Sequence, residues 1–271
     1  MEELGQEFRP CEERMNYLPV LSIAGSDPSG GAGIQADLKT ISALGGYAAT
    51  AITAVTVQNT VGVMEVHCVP AGIVAGQIRA VMDDLCPKAV KLGMVNDVAT
   101  IMAVADALEP YLHDKTHPLR HVVVDPVMVS TSGHPLMMPE AEVLSQIRLD
   151  GEDAFDKAAL RIAALGCPNV LIKGGHSDGR EKTDRLYDCQ GRLMRSYSSP
   201  TVDTRNTHGT GCTFSAAITT LLAMDVPLEE AIAGAKDYLT DALRAGAHVT
   251  VGHGHGPVNH FYNPHKQQIM I

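Results

Sequence analysis

Tyr17-Leu18-Pro19-Val20-Leu21-Ser22-Ile23-Ala24-Gly25 is an almost unbroken apolar run that closes on glycine. Ser26-Asp27-Pro28-Ser29-Gly30-Gly31-Ala32-Gly33-Ile34-Gln35 follows at once, and then a helical pattern over Ala36–Leu44 that Gly45-Gly46 ends. A strand apolar on every residue is buried on both faces, which is the habit of parallel sheets covered by helices. The same alternation continues along the chain. Further strands are expected at Ala48–Val57, Ala89–Gly93, His121–Val127 and Asn169–Gly175. Helices are expected at Ala71–Asp84, Val98–Leu108, Gly151–Leu165, Phe214–Leu222 and Leu228–Leu243. Arg185–Asp188 and Arg192–Tyr197, around Gln190-Gly191, form a hairpin. The pattern is that of an α/β fold, with a mostly parallel central sheet and helices on both faces. No repeat, low-complexity tract or linker interrupts it, so residues 17–271 read as one domain behind a loose polar leader at 1–16. In such sheets functional residues collect at the carboxyl ends of strands.

Composition narrows the function. The 271 residues are 45% hydrophobic and 19% charged, with a formal net charge of -10. That acidity argues against a general nucleic-acid binder, and an aromatic content of 4% without Trp argues against base stacking. It leaves room for an anionic substrate held by backbone amides. Gly, His or charged residues break every long apolar run, so no membrane span is expected. The acidic start, Met1-Glu2-Glu3-Leu4-Gly5-Gln6-Glu7, lacks a secretory signal, and a cytoplasmic protein is expected. Six scattered cysteines include no Cys-x-x-Cys pair, so neither a zinc site nor a redox motif is supported, and buried thiols are expected.

The residues suited to chemistry follow the apolar runs. Asn206-Thr207-His208-Gly209-Thr210-Gly211-Cys212-Thr213-Phe214 is a glycine turn leading into a helix. Backbone N–H groups of such a turn, together with the positive end of the helix dipole, make an anion site, and the dipole favours thiolate at an enclosed cysteine. The loop at 25–33 is glycine-rich but is neither a Walker A loop nor a dinucleotide fingerprint. Asp37 falls in the first turn of the helix after it, either facing a ligand or complementing the dipole. Asp125, at the end of the most apolar strand, suits Mg²⁺ or water near phosphates, or a turn cap. Lys173 ends another buried strand, where a cation is costly unless it meets an anion. His253 and His255, among glycines, read as surface residues. An anion loop, an Asp, a Lys and a cysteine at a helix start are together suited to phosphoryl transfer.

These motifs, with Val57-Gln58-Asn59-Thr60, Lys91-Leu92-Gly93-Met94, Asp125-Pro126-Val127-Met128 and Lys173-Gly174-Gly175-His176, closely resemble the hydroxymethylpyrimidine/phosphomethylpyrimidine kinases of thiamine biosynthesis. The match runs from about Leu18 to Phe261. The resemblance implies the ribokinase-like three-layer sandwich and ATP-dependent phosphorylation of 4-amino-5-hydroxymethyl-2-methylpyrimidine, then of its monophosphate. It implies a pyrimidine site at Gly25, Asp37, Gln58, Met94 and Val127. It also implies nucleotide contacts from Lys173, Thr207, Gly209 and Thr210, with Mg²⁺ organised through water by Asp125 and Glu140. Cys212 is implied as the base, with the Gly209 and Gly211 amides stabilising the moving phosphate. A homodimer is implied as well. Pyridoxal or pyridoxine kinases share the scaffold and the cysteine loop and are the alternative. A pyrimidine-binding protein without catalysis is the reading from another class.

One departure stands out. The family follows its Asp-Pro-Val-Met strand with a helix, a strand ending in Thr-Pro-Asn and then Pro-Glu-Ala. Here Gly133-His134-Pro135-Leu136-Met137 runs almost directly into Met138-Pro139-Glu140-Ala141-Glu142. A parallel sheet that loses an inner strand exposes its neighbours' edges and opens the core. The intact motifs on both sides favour a segment omitted from this sequence over a deletion that damages the protein.

Overall fold

The computed structural model describes residues 16–126, 152–174 and 179–270. A short strand β1 (Asn16–Tyr17) precedes β2 (Pro19–Ala24), which is buried along its whole length. Successive β2 side chains face opposite sides of the sheet, as the strand period requires. Leu21 and Ile23 pack in the core beneath α2 (Ala71–Leu85) and α3 (Val98–His113). Leu18 and Val20 face the other way, toward α1 (Gly33–Ala43) and α5 (Thr210–Ala223). Helix α6 (Leu228–Gly246) packs outside α5 in a third cluster around Phe214, Ile232 and Tyr238.

The central sheet runs β3 (Tyr47–Ile52), β2, β6 (Ala89–Leu92), β7 (His121–Val124), and every pairing in it is parallel. The predicted strand over Ala48–Val57 is two strands. The chain turns at Thr53, whose N–H donates to Ala24 O, and continues as β4 (Ala54–Gln58). Strand β4 pairs antiparallel with β5 (Val63–Cys68), a hairpin that the apolar pattern did not show. A second sheet holds β8 (Asn169–Ile172) against β9 (Glu181–Asp188), and β9 against β10 (Leu193–Pro200), all antiparallel. Helix α4 (Glu152–Ala163) covers β8, and β11 (Ile269–Met270) pairs with β1.

Among the described residues no hydrogen bond joins β7 to β8. Strand β7, read as the most apolar of all, leaves Val122 and Val124 36% and 58% exposed. The two sheets part at the place where the sequence departs from the family. Among the described cysteines, only Cys212 is a buried thiol. Cys68 and Cys167 are half-buried, Cys189 is exposed and Cys86 is disulfide-bonded, which corrects the expectation of buried thiols.

Candidate active site

The carboxyl ends of β2, β6 and β7 converge on the start of α5. Asp37 is the fifth residue of α1 and so lies beyond its first turn, which corrects the expected position and removes the dipole reading. It points inward, fully buried. One carboxylate oxygen accepts from Ser22 Oγ at 2.5 Å and from Lys91 Nζ at 2.9 Å. Its other oxygen, Oδ1, is buried with no partner. Lys91 sits on β6 and is also fully buried. Burial works against its charge, but Asp37, with Cys212 and Asp125 beyond it, holds the ammonium protonated well above the ordinary lysine range. Burial pushes the Asp37 carboxyl up, against the pull of Lys91 and Ser22.

Asp125 follows β7 and Lys173 follows β8. They meet at 2.5 Å, so the strand-end lysine finds its anion within the protein. Burial opposes charge on Asp125, yet Lys173 and Lys91 hold its carboxyl below the usual range. Asp125 Oδ2 is buried and unpartnered, and a Cβ at Gly211 would stand 3.4 Å from Lys173 Nζ and 3.8 Å from that oxygen. The pair therefore lies directly over the anion loop. Gly209 takes φ 77 as N-cap of α5, leaving the amides of the first turn without helical partners. Thr207 and Thr210 flank it, half-buried, and the Thr210 N–H donates to Thr207 O.

Cys212 is buried in that turn. Burial pushes its thiol up from 9.0, and Lys91 and the Gly33 amide only partly oppose this. Desolvation thus outweighs the Lys91 charge and the Gly33 amide, and it works against the thiolate the sequence suggested. Gly25 and Met94 are adjacent, since a Cβ on Gly25 would come within 2.2 Å of Met94 Cε. Gln58 ends β4, half-buried, and its amide reaches His208. Gly25, Asp37, Gln58, Met94, Asp125, Lys173, Gly209, Gly211 and Cys212 are thus brought to one end of the sheet. Val127 and Glu140 lie outside the described residues.

Sequence reasoning passed over two residues. Lys91 hides in a strand as an apparent alternating polar residue. Asp27 looks like a turn residue, but it accepts from Ser29 N and Oγ, Gly31 N, Ala32 N and His208 Nε2. Burial opposes its charge, but His208, Ser29 and Ala32 outweigh that and bring its pKa to about 2. His253 and His255 are exposed, on a loop held to Thr60 by the His255 N–H.

A family model described as phosphomethylpyrimidine kinase matches residues 27–141 and 137–259, in two pieces that meet where the resemblance departs. A hydroxymethylpyrimidine/phosphomethylpyrimidine kinase of Rhizobium meliloti (strain 1021) is 45% identical, over 89% of this chain and 96% of the relative. That alignment runs to 265 positions, while 89% of 271 residues is about 241, so about two dozen positions have no residue here. The thiamine biosynthesis bifunctional protein ThiED of Geobacter sulfurreducens is 44% identical over 89% of this chain, which spans only 52% of it. Among solved structures, phosphomethylpyrimidine kinase from Clostridium difficile 630 matches with TM-score 0.68 and 38% identity, over 83% of this chain and 99% of that one. Pyridoxal kinase from Staphylococcus aureus in complex with AMP-PCP and pyridoxal matches with TM-score 0.78 and 31% identity, over 93% and 96%. The chain belongs to the phosphomethylpyrimidine kinase family and has its ribokinase-like fold.

Proposed function

We propose that this chain transfers the γ-phosphoryl group of ATP to the hydroxymethyl oxygen of 4-amino-5-hydroxymethyl-2-methylpyrimidine, and then phosphorylates the monophosphate. The observation that carries the reading is the Asp125–Lys173 pair, set over Gly211 at the start of α5. Cation and carboxylate there stand beside the glycine turn that opens α5, and phosphoryl transfer needs positioning and charge stabilisation more than covalent chemistry. Lys173, Thr207, Gly209 and Thr210 hold nucleotide phosphates. Gly25, Asp37, Gln58, Met94 and Val127 hold the pyrimidine. The orphaned Asp37 Oδ1 suits a ligand N–H donor, because a buried carboxylate oxygen without a partner is otherwise costly. Cys212 takes the hydroxyl proton, and the Gly209 and Gly211 amides meet the charge on the moving phosphate.

Among the described residues no group of three or more His, Cys, Asp or Glu side chains can hold a metal. Asp125 Oδ2, one buried free oxygen, fits a Mg²⁺ that keeps most of its ligands as water and phosphate. When bound, such an ion neutralises phosphate charge. Glu140 is the second proposed ligand. The described residues include no helix long and apolar enough to cross a membrane, and the cytoplasm is the proposed location, in keeping with the use of ATP. The β4–β5 hairpin exposes Val55, Val57 and Met64, a face suited to the proposed homodimer.

The resemblance to a pyridoxal kinase that binds pyridoxal favours a second reading, the same transfer to pyridoxal. Assays with ATP, Mg²⁺ and each of the alcohol, its monophosphate and pyridoxal decide between them. Faster turnover of the pyrimidine is expected. Faster turnover of pyridoxal overturns the substrate assignment, and pyrimidine binding without any turnover leaves a binding protein.

A further inference from the structure

We propose that His208 is a positioning residue that locks the anion loop to the first glycine loop. The inference rests on the pyrimidine-kinase reading for its effect on substrate, and on geometry alone for the lock. His208 Nε2 stands 2.8 Å from Asp27 Oδ2, and both side chains are buried. The Cδ2 edge of the imidazole abuts Gly31, where a Cβ would come within 2.4 Å of it. The next residue, Gly209, is pressed on the Gly31 carbonyl, where a Cβ would stand 1.8 Å from the oxygen. The His208 N–H donates to Gly256 O, which ties in a third loop.

Hydrogen-bond accounting gives the direction of the lock. Asp27 is ionised and already accepts from Ser29, Gly31 and Ala32, so it is an acceptor only and His208 Nε2 carries the proton. That one hydrogen is given to Asp27 Oδ2, and the Gln58 amide, 3.4 Å from Nε2, is a neighbour of the ring with no share in the lock.

The test compares His208→Ala, His208→Asn and His208→Gln. The Gln amide places an N–H where Nε2 stands, and the Asn amide stops short of Asp27. Losing one charge-assisted hydrogen bond is expected to raise KM for ATP about tenfold in the Ala and Asn variants, because the loop it frees carries the proposed phosphate contacts Thr207, Gly209 and Thr210. His208→Gln should return KM to within about threefold of the wild type. Equal behaviour of Asn and Gln, or an unchanged KM for ATP in His208→Ala and His208→Asn, overturns the assignment. Amide hydrogen exchange in the free protein tests the lock without turnover. Faster exchange at Gly31, Ala32 and Gly209 in His208→Asn, restored in His208→Gln, supports it even if the pyrimidine proves not to be the substrate. Exchange unchanged in His208→Asn overturns it.

Discussion

Two residues of the site set opposite pH limbs. Cys212 is the proposed base, and burial raises its thiol above 9.0. A base works when deprotonated, so turnover of the pyrimidine is expected to climb with pH through the alkaline range. Cys212→Ala should remove that climb and lower turnover by about 10²–10⁴ while pyrimidine binding changes little. A flat profile, or a variant that loses binding and keeps turnover, makes the sulfur a contact. Asp27 acts on stability. Its pKa falls from 3.8 to about 2 on folding, which corresponds to about 2 kcal/mol. Because the folded value is the lower one, that stability is present above 3.8 and is lost as pH falls toward 2. Urea titrations from pH 7 to pH 2 should show the loss, and Asp27→Asn should flatten it. Lys91 completes the picture, since it neutralises Asp37 where water cannot. Lys91→Met leaves a buried carboxylate unpaired and is expected to cost about 3–5 kcal/mol. The raised Asp37 carboxyl makes that cost smallest in acid, where it is protonated, and the same urea titrations read it.

The elements carry these residues because local sequence rules and packing agree for most of them. Strands β2 and β6 were legible as apolar runs because both their faces are buried, and α2 and α6 from helical periodicity because each buries one continuous face. The start of α1 was read three residues late, since Gly33 opens it at φ 56 and glycine resembles loop. The β4–β5 hairpin was missed because Val55 and Val57 face solvent, so apolar content there does not report burial. Asp125, Lys173 and the glycine loop were legible because each breaks an apolar pattern at a strand end. Asp27 and Lys91 were not, since their partners lie 181 and 54 residues away. The anion loop offers the element-scale test. Gly209 has a positive φ and a Cβ there would strike the Gly31 carbonyl. Gly209→Ala must therefore shift backbone, and is expected to cost at least about 1 kcal/mol in thermal unfolding and to cut turnover more than pyrimidine binding. A fully active Gly209→Ala protein would mean that the loop amides do not meet the transferring phosphate.

At the scale of the molecule, the Asp125–Lys173 pair spans a break. Asp125 ends a strand of the parallel sheet and Lys173 ends a strand of the antiparallel one. No ladder of hydrogen bonds between those two strands fixes the pair among the described residues. About two dozen positions of the alignment to the Rhizobium meliloti relative have no residue here, and the two matches of the family model meet at 137–141. The resemblance implied a missing helix and strand there, and Val122 and Val124 of β7 are exposed. The family's helix and strand, inserted at Met137–Met138, should pair with the edge of β7 that is unpaired among the described residues and bury those valines. Their exposed area is worth about 2 kcal/mol, or about 5 °C in a protein of this size. Turnover should rise with it, because Asp125 and Lys173 would then hang from one continuous sheet. Thermal unfolding and the kinase assay on the same two proteins read both effects. A raised midpoint with unchanged turnover separates the sheet from the chemistry, and an unchanged midpoint means that the edge of β7 is already covered in the chain as it stands.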